Sequence, residues 1–385
     1  MAFRPFFLGA AAFAIVSVTM WLHTLQTGRP PDGGYLPLTL WHAHEMLFGF
    51  ALAVVAGFLL TAARTWTGRD TLHGYPLLAL WLVWLAGRVV FATGAWAPGW
   101  LHAALGVAFP AVVTVALARP ILAARSRRNV GIVVVMALFT LAAALIHLEA
   151  NRLITGVTMP AMYATLHGIV LLNVVVGGRI IPLFTRNRTG AEAFKVPTVD
   201  RAAIAAAAAV AVLGSWAVAT SDRGVHLALA GVALASALLQ ALRMRTWGTR
   251  AALRVPLLAV LHAGYGWIAA GHLLLALSML LPALPKSGVI HALTIGVIGT
   301  MTVGMMTRVT LGHTGRPIAD TRLATTTFVA INLAALGRLL GLMLPPTLVA
   351  HSWHLSGALF AFAYVGYLIG GVRILLAPRP DGKPG

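Results

Sequence analysis

The sequence contains no cysteine, and only 10% of its 385 residues are charged. The first absence excludes disulfide scaffolds, iron–sulfur clusters, thiolate copper centres and thioether-linked haem, all of which need Cys. The second excludes a soluble globular chain, in which about 25% of residues are charged. Acidic residues are scarcer still, with nine Asp and Glu against 28 Lys and Arg. Nor does the sequence show the short alternating segments of a membrane barrel. Its hydrophobic residues, 59% of the chain, fall in long unbroken runs. What remains is an all-α polytopic membrane protein embedded in the lipid bilayer.

A spanning helix needs ~20 apolar residues. Twelve such runs are present, at about 6–25, 40–62, 75–94, 100–118, 130–150, 160–182, 202–220, 224–242, 256–280, 288–307, 323–344 and 351–376. The first lacks a basic leader and a small-residue cleavage site, so it is expected to remain as a helix rather than to be removed as a signal. The net charge of +19 would suggest nucleic acid in a soluble protein. Here its distribution points to topology instead, and no nucleic-acid partner is expected. The N-terminus, the loops after even-numbered spans and the C-terminal tail carry 22 of the basic residues, and the loops after odd-numbered spans carry four. Arg88 and Arg338 lie inside spans. Since Lys and Arg accumulate in cytoplasmic loops, both termini are expected in the cytoplasm of a bacterial inner-membrane protein. Eleven of the 14 histidines then fall in the outer half.

The chain also carries an internal period. His44, His167 and His291 occupy matching places in spans 2, 6 and 10, and each precedes an apolar run ending in a basic Thr/Gly segment: Thr67-Gly68, Thr189-Gly190 and Thr314-Gly315. His102, His226 and His354 begin spans 4, 8 and 12. Gly87-Arg88 in span 3 is echoed by Gly337-Arg338 in span 11, with Gly214 in the matching stretch of span 7. This reads as one integral membrane domain, 1–385, made of three pseudo-repeats of four helices, about 1–125, 126–250 and 251–385. By fold-level analogy, three sets of four helices are the arrangement of the haem–copper oxidase core.

Trp41-His42-Ala43-His44-Glu45 opens span 2. At ~100° per residue, His42 and His44 point ~200° apart, so they suit two sites better than one metal. Glu45 lies closer in angle to His42, which it could orient or supply with protons. Imidazole suits haem iron and copper. On the oxidase analogy, one span-2 His and His167 would form a bis-His pair for haem, and the other span-2 His would hold a second haem or face copper. His291 is then the leading copper ligand, joined by His272 or His354. Arg88 and Arg338 would be satisfied by haem propionates, or by Glu45 or Glu149.

Several long motifs resemble the NnrS family: Phe3-Arg4-Pro5-Phe6-Phe7, WHAHEMLFGF at 41–50, GGRIIPLFTRN at 177–187, HALTIGVIGTM at 291–301, MMTRVTLGHTGRP at 305–317 and RPDGKPG at 379–385. One departure is Ala63-Arg64-Thr65 before Trp66, where the family often has Val-Pro-Asn. The resemblance implies a bacterial membrane protein that contains haem and copper and relieves nitric oxide stress, often alongside denitrification. Joined to the repeat, it suggests a circularly permuted haem–copper-oxidase-like core with one or two haem b groups. The leading expectation is a nitric oxide reductase-type oxidoreductase that forms nitrous oxide, fed by quinol or a periplasmic electron donor. The alternatives are a non-catalytic haem or copper protein, a nitric oxide sensor and, from another class, a proton-coupled transporter.

Overall fold

The structure is a computed structural model that describes residues 1–29 and 33–382; Lys383 and the last two residues of the 379–385 motif lie outside them. The described residues contain helices and no strand. Twelve helices are long and apolar enough to cross a membrane: α1 Phe3–Thr27, α2 Leu38–Thr67, α3 Gly74–Thr93, α4 Gly99–Ala123, α5 Arg127–Ala150, α6 Thr158–Thr189, α7 Pro197–Ala217, α8 Arg223–Met244, α9 Pro256–Leu280, α10 Lys286–His313, α11 Arg322–Met343 and α12 Pro346–Leu376. All twelve expected spans are present. Helix is the outcome because a lipid-facing backbone must satisfy its N–H and C=O groups within its own segment.

Four features recur with the period of the sequence. The most hydrophobic windows of α2, α6 and α10 are 78%, 61% and 78% buried, against 22–44% for the other nine helices. The Thr-Gly pair stands at the end of each: Thr67 and Thr189 are the last residues of α2 and α6, and Thr314 follows the last residue of α10. Thr67, Thr189 and Thr314 donate through Oγ1 to the carbonyl four residues back, at 2.6, 2.8 and 2.6 Å. Gly68, Gly190 and Gly315 follow in the left-handed region, φ +65°, +68° and +71°. That conformation lets the chain leave a helix and favours Gly. Gly68 caps α2 by donating to the Arg64 carbonyl, so the departure from Val-Pro-Asn is absorbed within a continuous helix. In α2 and α10 the residue after the histidine starts a π-helical segment, Glu45–Ala51 and Ala292–Gly299; α6 remains α-helical. Finally, the two Gly-Arg helices both close in a 3₁₀ turn, Gly94–Trp96 after α3 and Gly341–Met343 at the end of α11.

The chain packs as two compact units. The first comprises Met1–Thr165, Val309–Pro317 and Gly371–Gly385. Phe3, Phe6 and Phe7 of the N-terminal motif are fully buried in it. Phe6 and Phe7 lie against Gly57, where a Cβ would stand 2.9 Å from the Phe6 Cβ. Arg4 Nη1 donates to the carbonyls of Leu375 (2.7 Å) and Ala377 (2.6 Å). These belong to the C-terminal end of α12, where carbonyls lack helical partners and a cation complements the helix dipole. Glu149, at the end of α5, accepts from the amides of Gly156, Val157 and Thr158 and so caps α6.

The second unit comprises Leu166–Arg308 and Ile318–Gly370. Here α9 packs on α8 and on the π segment of α10, and α8 packs on α7. Buried Arg243 donates to Asp200 (2.6 Å), to the Val174 carbonyl (2.9 Å) and to the Tyr265 hydroxyl (2.6 Å), which in turn donates to Gln240 (2.5 Å). The guanidinium occupies the space beside Gly178 where a side chain would otherwise stand.

Candidate functional site

In the first unit the α2 motif builds a buried polar centre. His44 and Glu45 are almost wholly buried, as is Arg88 from α3. Glu45 Oε1 accepts from His44 Nδ1 at 2.8 Å and from Arg88 Nη1. The expectation that Glu45 would orient His42 is therefore corrected: the carboxylate turns to His44, on the side where Arg88 supplies the compensating charge, as the π segment opens at Glu45. His42 instead stacks on Trp21 of α1, with ring centres 4.3 Å apart. The two imidazoles thus have separate surroundings, as their ~200° spacing requires. Gly49 makes room for the pair, since a Cβ there would stand 2.6 Å from both Arg88 Nη1 and Phe13. The Gly49 carbonyl, within the π segment, accepts from Trp84 Nε1 at 2.8 Å.

Two further imidazoles join His44. His147 of α5 lies edge-on to it, ring centres 5.3 Å apart, and His102 of α4 lies 5.1 Å from Phe91, which also stacks on His44. Tyr35 stacks on His102 and bonds His147 Nδ1 at 3.0 Å, while Asn151 donates to the Tyr35 hydroxyl at 3.0 Å. Nε2 of His102 and Nε2 of His147 are buried without a hydrogen-bond partner among the described residues. The sequence places His102 in the trio with His226 and His354 but gives no reason to bring it to His147. The available signal is the one-turn spacing of His147 and Asn151, two polar residues at the end of an apolar helix.

In the second unit, His167 and His272 are buried and within electrostatic range of each other. His167 packs on Gly214 of α7, where a Cβ would stand 2.7 Å from its Nε2. The Gly214 of the sequence repeat is therefore the residue that admits this imidazole. His272 Nδ1 bonds Ser236 Oγ at 2.9 Å. His291 is partly exposed, and its neighbour in range is Arg338 of α11. His354, near the start of α12, bonds the Ala350 carbonyl through Nδ1. His262, displaced from these, pairs with Thr185 at 3.0 Å.

Several histidines share one donor arrangement, whereas His226 bonds the Ala217 carbonyl through Nε2. Carbonyls only accept, so Nδ1 carries the proton in His102 (to Pro98, 3.3 Å), His291 (to Ser287, 3.0 Å) and His354 (to Ala350, 2.8 Å). The Glu45 carboxylate fixes the same tautomer in His44. A neutral imidazole of this kind presents Nε2 as a lone-pair nitrogen, the form that ligates haem iron or copper and is oriented by its second-shell acceptor. Haem, which needs only one or two such nitrogens, fits this donor set. Copper matches it in donor type alone, for among the described residues no three His, Asp or Glu side chains form a group that could hold a metal ion.

Twelve apolar helices and buried, oriented imidazoles define the class: a multi-pass membrane protein with a histidine-rich interior. The chain matches the family described as NnrS protein over residues 1–379, and it belongs to that family. Membership points to a membrane protein of the nitric oxide response. No curated protein matches the chain.

Proposed function

We propose that this protein binds one or two haem b groups and reduces nitric oxide to nitrous oxide in the bacterial inner membrane, with its site toward the periplasm. The observation that supports this reading is His44, buried in a span with its Nδ1–H held by Glu45 so that Nε2 is the lone-pair nitrogen, in a setting where ionisable groups are costly and point to function. His42, His44 and His167 are the residues that would hold haem. His291, with His272 or His354, would hold copper, although no step is assigned to that ion. Bound haem supplies electron transfer and a binding place for the gas. The conversion takes two nitric oxide molecules, two electrons and two protons to one nitrous oxide and one water. Electrons would come from quinol or a periplasmic donor.

The chain's own part is ligation and proton handling. Glu45 Oε1 holds its place between His44 Nδ1 and Arg88 Nη1, so the carboxylate keeps the imidazole proton on Nδ1 and fixes the direction of the ring. Asn151, Tyr35 and His147 form a second hydrogen-bonded chain, which reaches His44 by ring contact. Two of its members, Tyr35 and Asn151, lie outside the spans in loops that the charge pattern assigns to the outer side.

The test is pigment and metal analysis of purified protein, followed by anaerobic nitric oxide consumption with a reduced donor. Stoichiometric haem with turnover is expected, and His167→Ala should alter the visible spectrum. Colourless, metal-free protein would overturn the reading in favour of a proton-coupled transporter. A second reading, a non-catalytic haem protein or nitric oxide sensor, is favoured by the absence of a three-ligand metal group among the described residues. It would be upheld by reduced, haem-loaded protein that binds the gas without consuming it.

A further inference from the structure

The Gly-Arg helices sit in matching places but differ in one respect. α3 packs on the π segment of α2, and α11 packs on the first turns and the π segment of α10. In the first repeat Arg88 meets Glu45, the residue directly after His44. In the third, the residue after His291 is Ala292, and Arg338 has no carboxylate partner among the described residues. The middle repeat has neither charge: Gly168 follows His167, and Ser215 follows Gly214. Positive and negative charge are therefore both present, both missing, or, in the third repeat alone, unbalanced.

The hydrogen bonding around Arg338 is unbalanced in the same sense. Among the described residues its Nη1 is buried with no acceptor, and so is Nε1 of Trp353 on α12. The guanidinium carbon lies 4.8 Å from the centre of the Trp353 ring, so the two side chains that carry these donors are neighbours. An unsatisfied buried N–H is costly, and more so on a charged group. An oxyanion would satisfy both.

The geometry points to an anion site: Arg338 and Trp353 take a planar oxyanion, a carboxylate or its like, supplied by a ligand in the place that Glu45 fills for Arg88. A propionate of haem is one source, and that arm rests on the reading above. A small free oxyanion is the other.

The test uses full-length protein in detergent with Arg338→Gln and Ala292→Glu, the second supplying the internal carboxylate. Haem b, haem b dimethyl ester, formate and nitrite are the probes. If the source is haem, the wild type should hold haem b about 10- to 100-fold more tightly than the ester, the range of one charge-assisted hydrogen bond. Both variants should abolish that preference. If the source is a free oxyanion, formate or nitrite should bind the wild type saturably, and neither variant should bind it. Arg338→Gln probes the same point if Ala292→Glu does not fold. Equal binding of haem and ester together with no binding of either anion would overturn the site, as would anion binding or ester discrimination that survives Arg338→Gln. Protein that binds formate or nitrite through Arg338 but no haem would refute the haem reading and leave this site standing. Protein that holds haem without reference to Arg338 and binds neither anion would do the reverse.

Discussion

Glu45 and Arg88 offer a sharp thermodynamic test because both are buried and their charges compensate each other. Removing either partner strands a charge, which costs about 3–5 kcal/mol for buried pairs. Glu45→Gln keeps an acceptor oxygen for His44 and Arg88 and deletes only the charge. Arg88→Met keeps most of the packing against Phe13 and Phe91, whose ring centres lie 5.5 and 5.4 Å from the guanidinium carbon. Each single variant should therefore lose about 3–5 kcal/mol, a factor of roughly 10²–10⁴ in the unfolding equilibrium. The double variant has no stranded charge and should lie within about 1 kcal/mol of the wild type or above it. The coupling read from the cycle would then be at least about 5 kcal/mol, above the roughly 0.5–3 kcal/mol usual for contacting residues, because each single variant strands a buried charge. Reversible unfolding in mixed micelles with rising dodecyl sulfate, followed by Trp fluorescence, gives the four values. Single losses below about 1 kcal/mol, or a double variant equal to the sum of the singles, would refute the view that this contact is a compensated buried pair.

Three other predictions follow from close contacts. Gly214→Ala should push the His167 imidazole from its place and reproduce the visible-spectrum change of His167→Ala, while an unaltered spectrum would separate Gly214 from the haem site. Gly178→Ala should force the Arg243 guanidinium off Asp200 and cost about 1–3 kcal/mol in the same unfolding assay, the usual range for overpacking. Arg4→Ala removes two charge-assisted hydrogen bonds to the end of α12; with partial exposure discounted, the expected loss is about 1–2 kcal/mol, and faster proteolysis of the C-terminal residues should accompany it.

Much of the fold is legible in the sequence because the bilayer leaves few choices. Apolar run length gives the twelve helices. The Thr-Gly pairs mark three helix ends that turn out to share one capping geometry. The π segments are not legible, since a change in hydrogen-bond register over seven or eight apolar residues leaves no trace in hydrophobic pattern. Nor is the direction of Glu45: helical angle favours His42, but the side chain follows the charge of Arg88, which belongs to another helix. His102 and His147 gather around His44 through contacts with Tyr35 and Phe91, and such tertiary company is invisible to spacing along one helix. Gly49 and Gly214 stand in or beside recognisable motifs, yet only the structure gives their purpose, which is to admit Arg88 and His167.

The bonds from Arg4 to Leu375 and Ala377 join residues 371 and 373 positions apart. Contacts so remote in sequence carry a large loop-closure cost and reward the chain only after its local helix pairs have formed. The seating of the end of α12 on the first turn of α1 is therefore expected to be a late event in assembly, and a lesion at Arg4 should speed release of that end more than it slows folding.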